Sequence, residues 1–88
     1  MSISVIMSVF NGSAYLNESI ESILNQTFKD FEFLILDDGS TDNSFEIIKK
    51  YSSLDSRIKH FRQKNMGLTR ALNFLVKKSR NNFIARMD

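Results

Sequence analysis

Apolar positions along the chain fall into seven alternating blocks. Residues 3–10, ISVIMSVF, are β-branched and nearly continuous, the pattern of a strand. Residues 13–27 place Leu16, Ile20, Ile23 and Leu24 at helical spacing with Glu and Asn opposite, which predicts an amphipathic helix. Phe31, Phe33, Leu34, Ile35 and Leu36 show little polar alternation, so 31–37 predicts a strand buried on both faces. A second helix is expected over 41–53, aligning Phe45, Ile48 and Tyr51, with Asn43 and Glu46 at capping-box spacing. Residues 57–63 alternate Ile58, His60 and Arg62 with Arg57, Lys59 and Phe61, a weaker strand. A third helix over 67–79 carries Leu68, Ala71, Leu72, Leu75 and Val76, and 82–87 forms a last short strand.

The order is β-α-β-α-β-α-β, and helices alternating with apolar strands predict a parallel, Rossmann-like α/β sheet covered on both faces through right-handed crossovers. Ligands of such sheets bind beyond the carboxyl ends of the strands. Ser8 to Asn11, Asp37 to Ser40 and Asp88 are all expected there, on one edge.

The strand 31–37 runs into DDGSTD. Gly39 suits a positive φ, and Thr41 or Asp42 suits a helix cap. Turn chemistry does not account for Asp37 and Asp38, two like charges at the end of a buried strand, which call for solvent, a helix N-terminus, a metal or a ligand. The spacing is not that of an EF-hand. Arg70, with Asn65, Gly67 and Asn73 nearby, suits phosphate close to a helix N-terminus. Phe10 falls where the first strand emerges, placed to stack on a flat base, whereas Phe31, Phe33, Phe45, Phe61, Phe74 and Phe83 have core spacing. The first strand–helix turn, FNGSA, has one glycine, so it lacks the dinucleotide fingerprint, and there is no P-loop, nucleophile elbow or HExxH.

Eighty-eight residues suit one small domain, and 42% apolar with 25% charged residues is ordinary for a globular chain. The absence of cysteine removes disulfides, thiolate zinc sites and cysteine nucleophiles, and a single histidine, His60, cannot form a cluster. No run approaches the ~18 apolar residues of a membrane span, and no signal peptide is visible, so a soluble cytoplasmic chain is expected. The net charge of +2 is unevenly spread: residues 57–88 carry nine Lys or Arg against Asp88, whereas residues 1–56 carry nine acids against three lysines. A basic C-terminal third suits an anionic ligand, nucleic acid or an anionic membrane surface.

SVIMSVFNGSAYLNESIESILNQTFKDFEFLILDDGSTDNS, DSRIKHFRQKNMGLTRALN and FIARMD, in that order, are similar to the N-terminal, nucleotide-sugar-binding half of the family 2 glycosyltransferases, with the GT-A fold. The resemblance covers essentially all of residues 1–88. It implies transfer of a sugar from a nucleotide diphosphate sugar, by family habit a UDP-sugar, to a saccharide, lipid-linked or protein acceptor, usually with inversion, in polysaccharide, lipopolysaccharide or glycoprotein-glycan assembly. On this resemblance Ser8, Phe10 and Asn11 line the nucleoside pocket, and Asp38 hydrogen-bonds the Watson–Crick edge of the base with Asp37 close by. Arg70 helps with phosphate charge, and Asp88 is the first acid of an Asp-x-Asp motif that touches the ribose and holds Mn²⁺ or Mg²⁺ against the diphosphate.

Three positions depart from the family pattern: Phe10 replaces a tyrosine, Ser8 stands where proline or threonine is common, and Asn81 occupies a usual glycine, a tolerable change because Asn enters the left-handed region more easily than most residues. With Asp88 last, the rest of the motif, the acceptor half and the general base are expected in a longer enzyme. The 88 residues alone are then expected to be inactive, to self-associate through an uncovered edge, and to meet a membrane only peripherally, at its cytoplasmic face. The alternatives are a non-catalytic nucleotide- or anion-binding interaction module, with nucleic acid the weaker partner, and a phosphoacceptor receiver domain, which expects its acids after the first strand. An acid at position 90 separates the enzyme from the binding module.

Overall fold

A computed structural model describes residues 2–87. The elements are β1 (Ile3–Val9), α1 (Leu16–Leu24), β2 (Phe31–Asp38), α2 (Ser44–Leu54), β3 (Ile58–Gln63), α3 (Leu68–Lys78) and β4 (Phe83–Arg86). They form one parallel sheet in the order β3-β2-β1-β4. β2 has a strand on each side and helices on both faces, so all eight of its residues are buried. That burial explains its continuous apolar run.

The pleat divides the core. Val5, Met7, Val9, Phe33 and Ile35 pack with Leu16 and Ile20 of α1 and Ile48 and Tyr51 of α2. Ile6, Leu34 and Leu36 face the other way, against Ala71 and Leu75 of α3. Two hydrophilic residues interrupt that second face at its amino end: Ser4 and Glu32 are both buried.

Three expectations need correction. α1 starts at Leu16 rather than near 13: residues 12–15 form a turn, in which the Tyr15 and Leu16 amides both donate to Gly12 O while the Gly12 and Ser13 amides are held by side chains of the β2–α2 loop. Of the caps offered for α2, Asp42 serves, its Oδ1 accepting the Ser44 amide at 2.9 Å, whereas no Asn43–Glu46 box forms. Asn43 has φ −88° and ψ 20°, outside the extended conformation that aims an N-cap side chain at the first turn. The replacement of a usual glycine by Asn81 carries no backbone strain, because among the described residues Asn11, at φ 51°, is the one non-glycine with positive φ. Phe83 is exposed rather than core, because β4 is a four-residue edge strand exposed along its length.

The opposite edge, β3, carries charge outward as sheet edges commonly do. Ile58 is buried, and Phe61 meets Phe74 of α3 edge-to-face at 5.4 Å. No helix among the described residues is long and apolar enough to cross a membrane.

Candidate functional site

Because all four strands run the same way, the β1–α1, β2–α2 and β3–α3 loops meet at the carboxyl edge of the sheet, and hydrogen bonds join them in sequence. The Asn11 amide donates to Ser40 Oγ at 2.9 Å, the Gly12 amide to Ser44 Oγ at 2.9 Å and the Ser13 amide to Asp42 Oδ2 at 3.2 Å. In return Asn11 Oδ1 accepts the Thr41 amide at 2.8 Å. The polar row after Gly39 is therefore a set of acceptors, at alternate positions 40, 42 and 44, for three successive amides of the first loop. The Ser44 side chain leads the contacts that hold the Asp42 carboxyl down to about 2, followed by the amides of Ser44 and Ser13.

Gly39, at φ 79°, brings the second loop against the third. A Cβ there would lie 2.6 Å from the backbone nitrogen of Asn65, so both the dihedral and the approach demand glycine.

The two adjacent carboxylates are compensated differently. Asp38 Oδ1 accepts from Gln63 Nε2 at 3.1 Å and from the Met66 amide at 2.9 Å. Its Oδ2 accepts from the Gly67 amide at 3.0 Å and, more distantly, from Asn65 Nδ2 at 3.4 Å. Met66 and Gly67 immediately precede α3, so the positive end of a helix faces this carboxylate. A carboxylate offers about four lone-pair directions, and all are taken up by Gln63 at the end of β3 and the loop that follows it.

Asp37 lies on the other face, fully buried. Its Oδ1 accepts the Ser40 amide at 3.3 Å; its Oδ2 lies 3.5 Å from Arg62 Nε without a hydrogen bond. The half-exposed Arg62 guanidinium lies over the Phe45 ring, 4.6 Å from its centre. Outside these carboxylates lies a concavity of about 550 Å³ lined by Gly39, Ser40, Arg62, Gln63, Lys64 and Asn65.

Of the residues nominated from sequence, Ser8 is half-buried at the end of β1, opposite Leu36 in register. Phe10 stands 51% exposed just beyond that strand. Asn11 holds the loops together through both its backbone and its side chain. Arg70 is exposed on the first turn of α3, without an ion-pair partner among the described residues. Asp88 lies outside the described residues. Among the described residues no three acids or histidines gather into a metal cluster. Arg62 and Gln63 carry only a weak signal in the sequence, the polar run that ends β3 and leads into Gly67.

Comparison with known proteins places this geometry. Residues 4–88 match the family described as Glycosyl transferase family 2. The O-antigen biosynthesis glycosyltransferase WbnJ of Escherichia coli is 45% identical over 98% of the chain, which corresponds to 34% of WbnJ. The structure of S. aureus TarS 1–349 in complex with UDP-GlcNAc superposes with a TM-score of 0.91 and 29% identity, covering 100% of this chain and 26% of that one. The mannosyltransferase PcManGT from Pyrobaculum calidifontis, solved with GDP-Man and Mn²⁺, shares the fold at a TM-score of 0.84 and 17% identity over 93% of this chain and 25% of its own. The chain spans from 12% to 35% of the length of the first curated relatives it matches.

Proposed function

The chain belongs to glycosyl transferase family 2, and on that premise we propose that it is the donor-nucleotide-binding part of an enzyme that moves a sugar from a nucleotide diphosphate sugar to an acceptor. The observation that carries this reading is the carboxyl-edge site, where Phe10 stands exposed at the edge on which Asp38 anchors the β3–α3 loop. An exposed aromatic offers a stacking surface to any base. Asp38 gives the base edge a fixed acceptor, and the base N–H takes the place of Asn65 Nδ2, the longest of its four contacts at 3.4 Å.

Lys64, Arg62 and Arg70 raise the positive potential around the site and favour a diphosphate. Asp88 is the residue proposed to hold Mn²⁺ or Mg²⁺, as an oxygen ligand suited to such hard ions. When bound, the ion supplies neutralisation of charge on the departing nucleotide diphosphate. Uridine is the base proposed first, in line with the TarS complex. Inverting transfer to a saccharide, lipid-linked or protein acceptor requires a general base that none of these residues provides.

The test is an amide-shift titration of the chain with UDP, GDP, dTDP and CDP, with and without Mn²⁺. Saturable shifts at Phe10 and Gly39 for one nucleotide are expected. Equal, weak shifts for all four, spread over the basic C-terminal third, would replace a donor pocket with non-specific anion binding.

A further inference from the structure

At the far end of the sheet, six residues and about 20 Å along β2 from Asp38, Glu32 is buried on the α3 face, where the next two positions on that face are Leu34 and Leu36. A carboxylate is costly there unless its contacts are specific. Glu32 Oε2 accepts the Ser4 hydroxyl and the Arg80 amide, each at 2.6 Å. Its Oε1 makes no hydrogen bond but is flanked by Lys59 Nζ at 3.9 Å and Arg80 Nε at 3.5 Å. Ser4 Oγ in turn accepts the Asn81 amide at 3.3 Å and Asn81 Nδ2 at 3.1 Å. One carboxylate thus ties β1, β2 and β3 to residues 80 and 81, the segment that turns α3 into β4.

β4 needs such a tie. It is four residues long, exposed on both faces, and paired with β1 from Ile3↔Phe83 to Ile6↔Arg86. A strand whose own burial does not distinguish its faces has a weakly specified register, and a slip of one residue would exchange those faces. Beyond β4, the Met87 amide donates to Ile6 O at 2.9 Å, so the strand is held at each end, by Glu32 and Ser4 before it and by Met87 after it. β4 runs parallel to β2, toward the edge that holds Asp37 and Asp38, with Arg86 level with Ile6 and so with Leu34.

We propose that Glu32, acting through Ser4 and the 80–81 turn, is a positioning residue for the nucleotide site: it sets the register in which β4 runs along β1 toward the carboxyl edge. The register part stands on geometry alone, whereas its consequence for the nucleotide rests on the donor-binding reading above.

Amide hydrogen exchange and UDP titration with Mn²⁺, on the wild-type chain, Glu32→Ala, Ser4→Ala and the core control Ile48→Val, test it. Ser4→Ala is the smaller change and keeps the test available where Glu32→Ala does not fold. Loss of the charge-assisted bonds is expected to cut protection at Ala85 and Met87, the positions whose amides face β1, by about tenfold, leave Leu34 and Leu36 nearly unchanged, and weaken UDP by about tenfold. Ile48→Val lowers overall stability without selecting β4 and without weakening UDP. Uniform loss of protection across the sheet, or none at β4, overturns the register assignment. Selective loss at β4 with unchanged UDP affinity overturns the link to the site. A wild-type chain that binds no UDP, with β4 still selectively exposed in the variants, removes the donor-binding reading and the link to the site, and leaves the register assignment standing.

Discussion

The backbone N–H of Gly67 points into the carboxylate of Asp38, 3.0 Å from Oδ2, across 29 positions of sequence. Gly67 stands at φ 90° and ψ 161°, a conformation open essentially to glycine alone, and the amide before it, Met66, donates to the other oxygen at 2.9 Å. Asp38 therefore organises the entry to α3, and the two adjacent acids separate into an anchoring one and a lightly held one.

That separation predicts opposite outcomes for two neighbouring substitutions. Asp38→Ala strands the amides of Met66 and Gly67 and is expected to cost about 2–3 kcal/mol in urea unfolding. Asp37→Asn exchanges a buried carboxylate with one 3.3 Å hydrogen bond and a half-exposed Arg62 for a neutral group, and is expected to change stability by less than about 1 kcal/mol. Equal losses in the two variants would remove the distinction.

Gly39→Ala meets two penalties at once. A left-handed dihedral costs an alanine about 1 kcal/mol, and its methyl would press on the Asn65 backbone at 2.6 Å. The expected result is a loss of at least about 2 kcal/mol, with amide shifts concentrated at residues 63–67. Gly12→Ala is the comparison, because the nearest atoms there belong to the movable Tyr15 side chain. It is expected to cost clearly less when both variants are unfolded in urea.

Phe10 is half exposed and touches little of the core, so Phe10→Ala is expected to alter stability by less than about 0.5 kcal/mol. If it stacks on the base, the same change weakens UDP by roughly tenfold, while Phe10→Tyr keeps the affinity. Calorimetric titration on the three proteins checks both expectations, and unchanged UDP affinity in Phe10→Ala would remove the stacking role.

Acid and alkali are expected to act through different groups. Tyr51 donates to Glu21 Oε2 at 2.6 Å, and this bond, then burial and the nearby carboxylate, push the phenol up to about 12 from 10.0. A raised folded pKa contributes stability below 10.0 that is lost as pH rises through about 12. Tyr51→Phe should flatten the stability profile across that window. At the acid end, Asp42 is held at about 2 against 3.8. Burial alone would raise Glu32, but the Arg80 amide, the Ser4 hydroxyl, Lys59 and Arg80 outweigh it and leave that carboxyl below 4.5. Both contributions are present above those unfolded values and fade as pH falls through the folded ones. Carboxyl titration by NMR in Ser44→Ala should show Asp42 moving back toward 3.8.

The amino-acid sequence by itself determined the seven elements and their order, because strand and helix periodicity are local and β2, buried on both faces, leaves an unbroken apolar run. It also placed Asp37 and Asp38 at a strand end with a positive-φ glycine after them, as found. The family was legible in the same stretches.

Only the tertiary structure decided which groups answer those charges. The donors to Asp38 come from 25 to 29 residues away, and the Arg80 amide reaches Glu32 across 48. Such pairings follow from the sheet order β3-β2-β1-β4, which no local pattern encodes. Capping by Asp42 rather than Asn43 turned on a backbone dihedral, and the exposure of Phe83 on β4's position at a sheet edge. Glu32 passed as one polar letter in an apolar strand, because a buried carboxylate acquires its meaning from partners that only the assembled sheet brings within hydrogen-bonding distance.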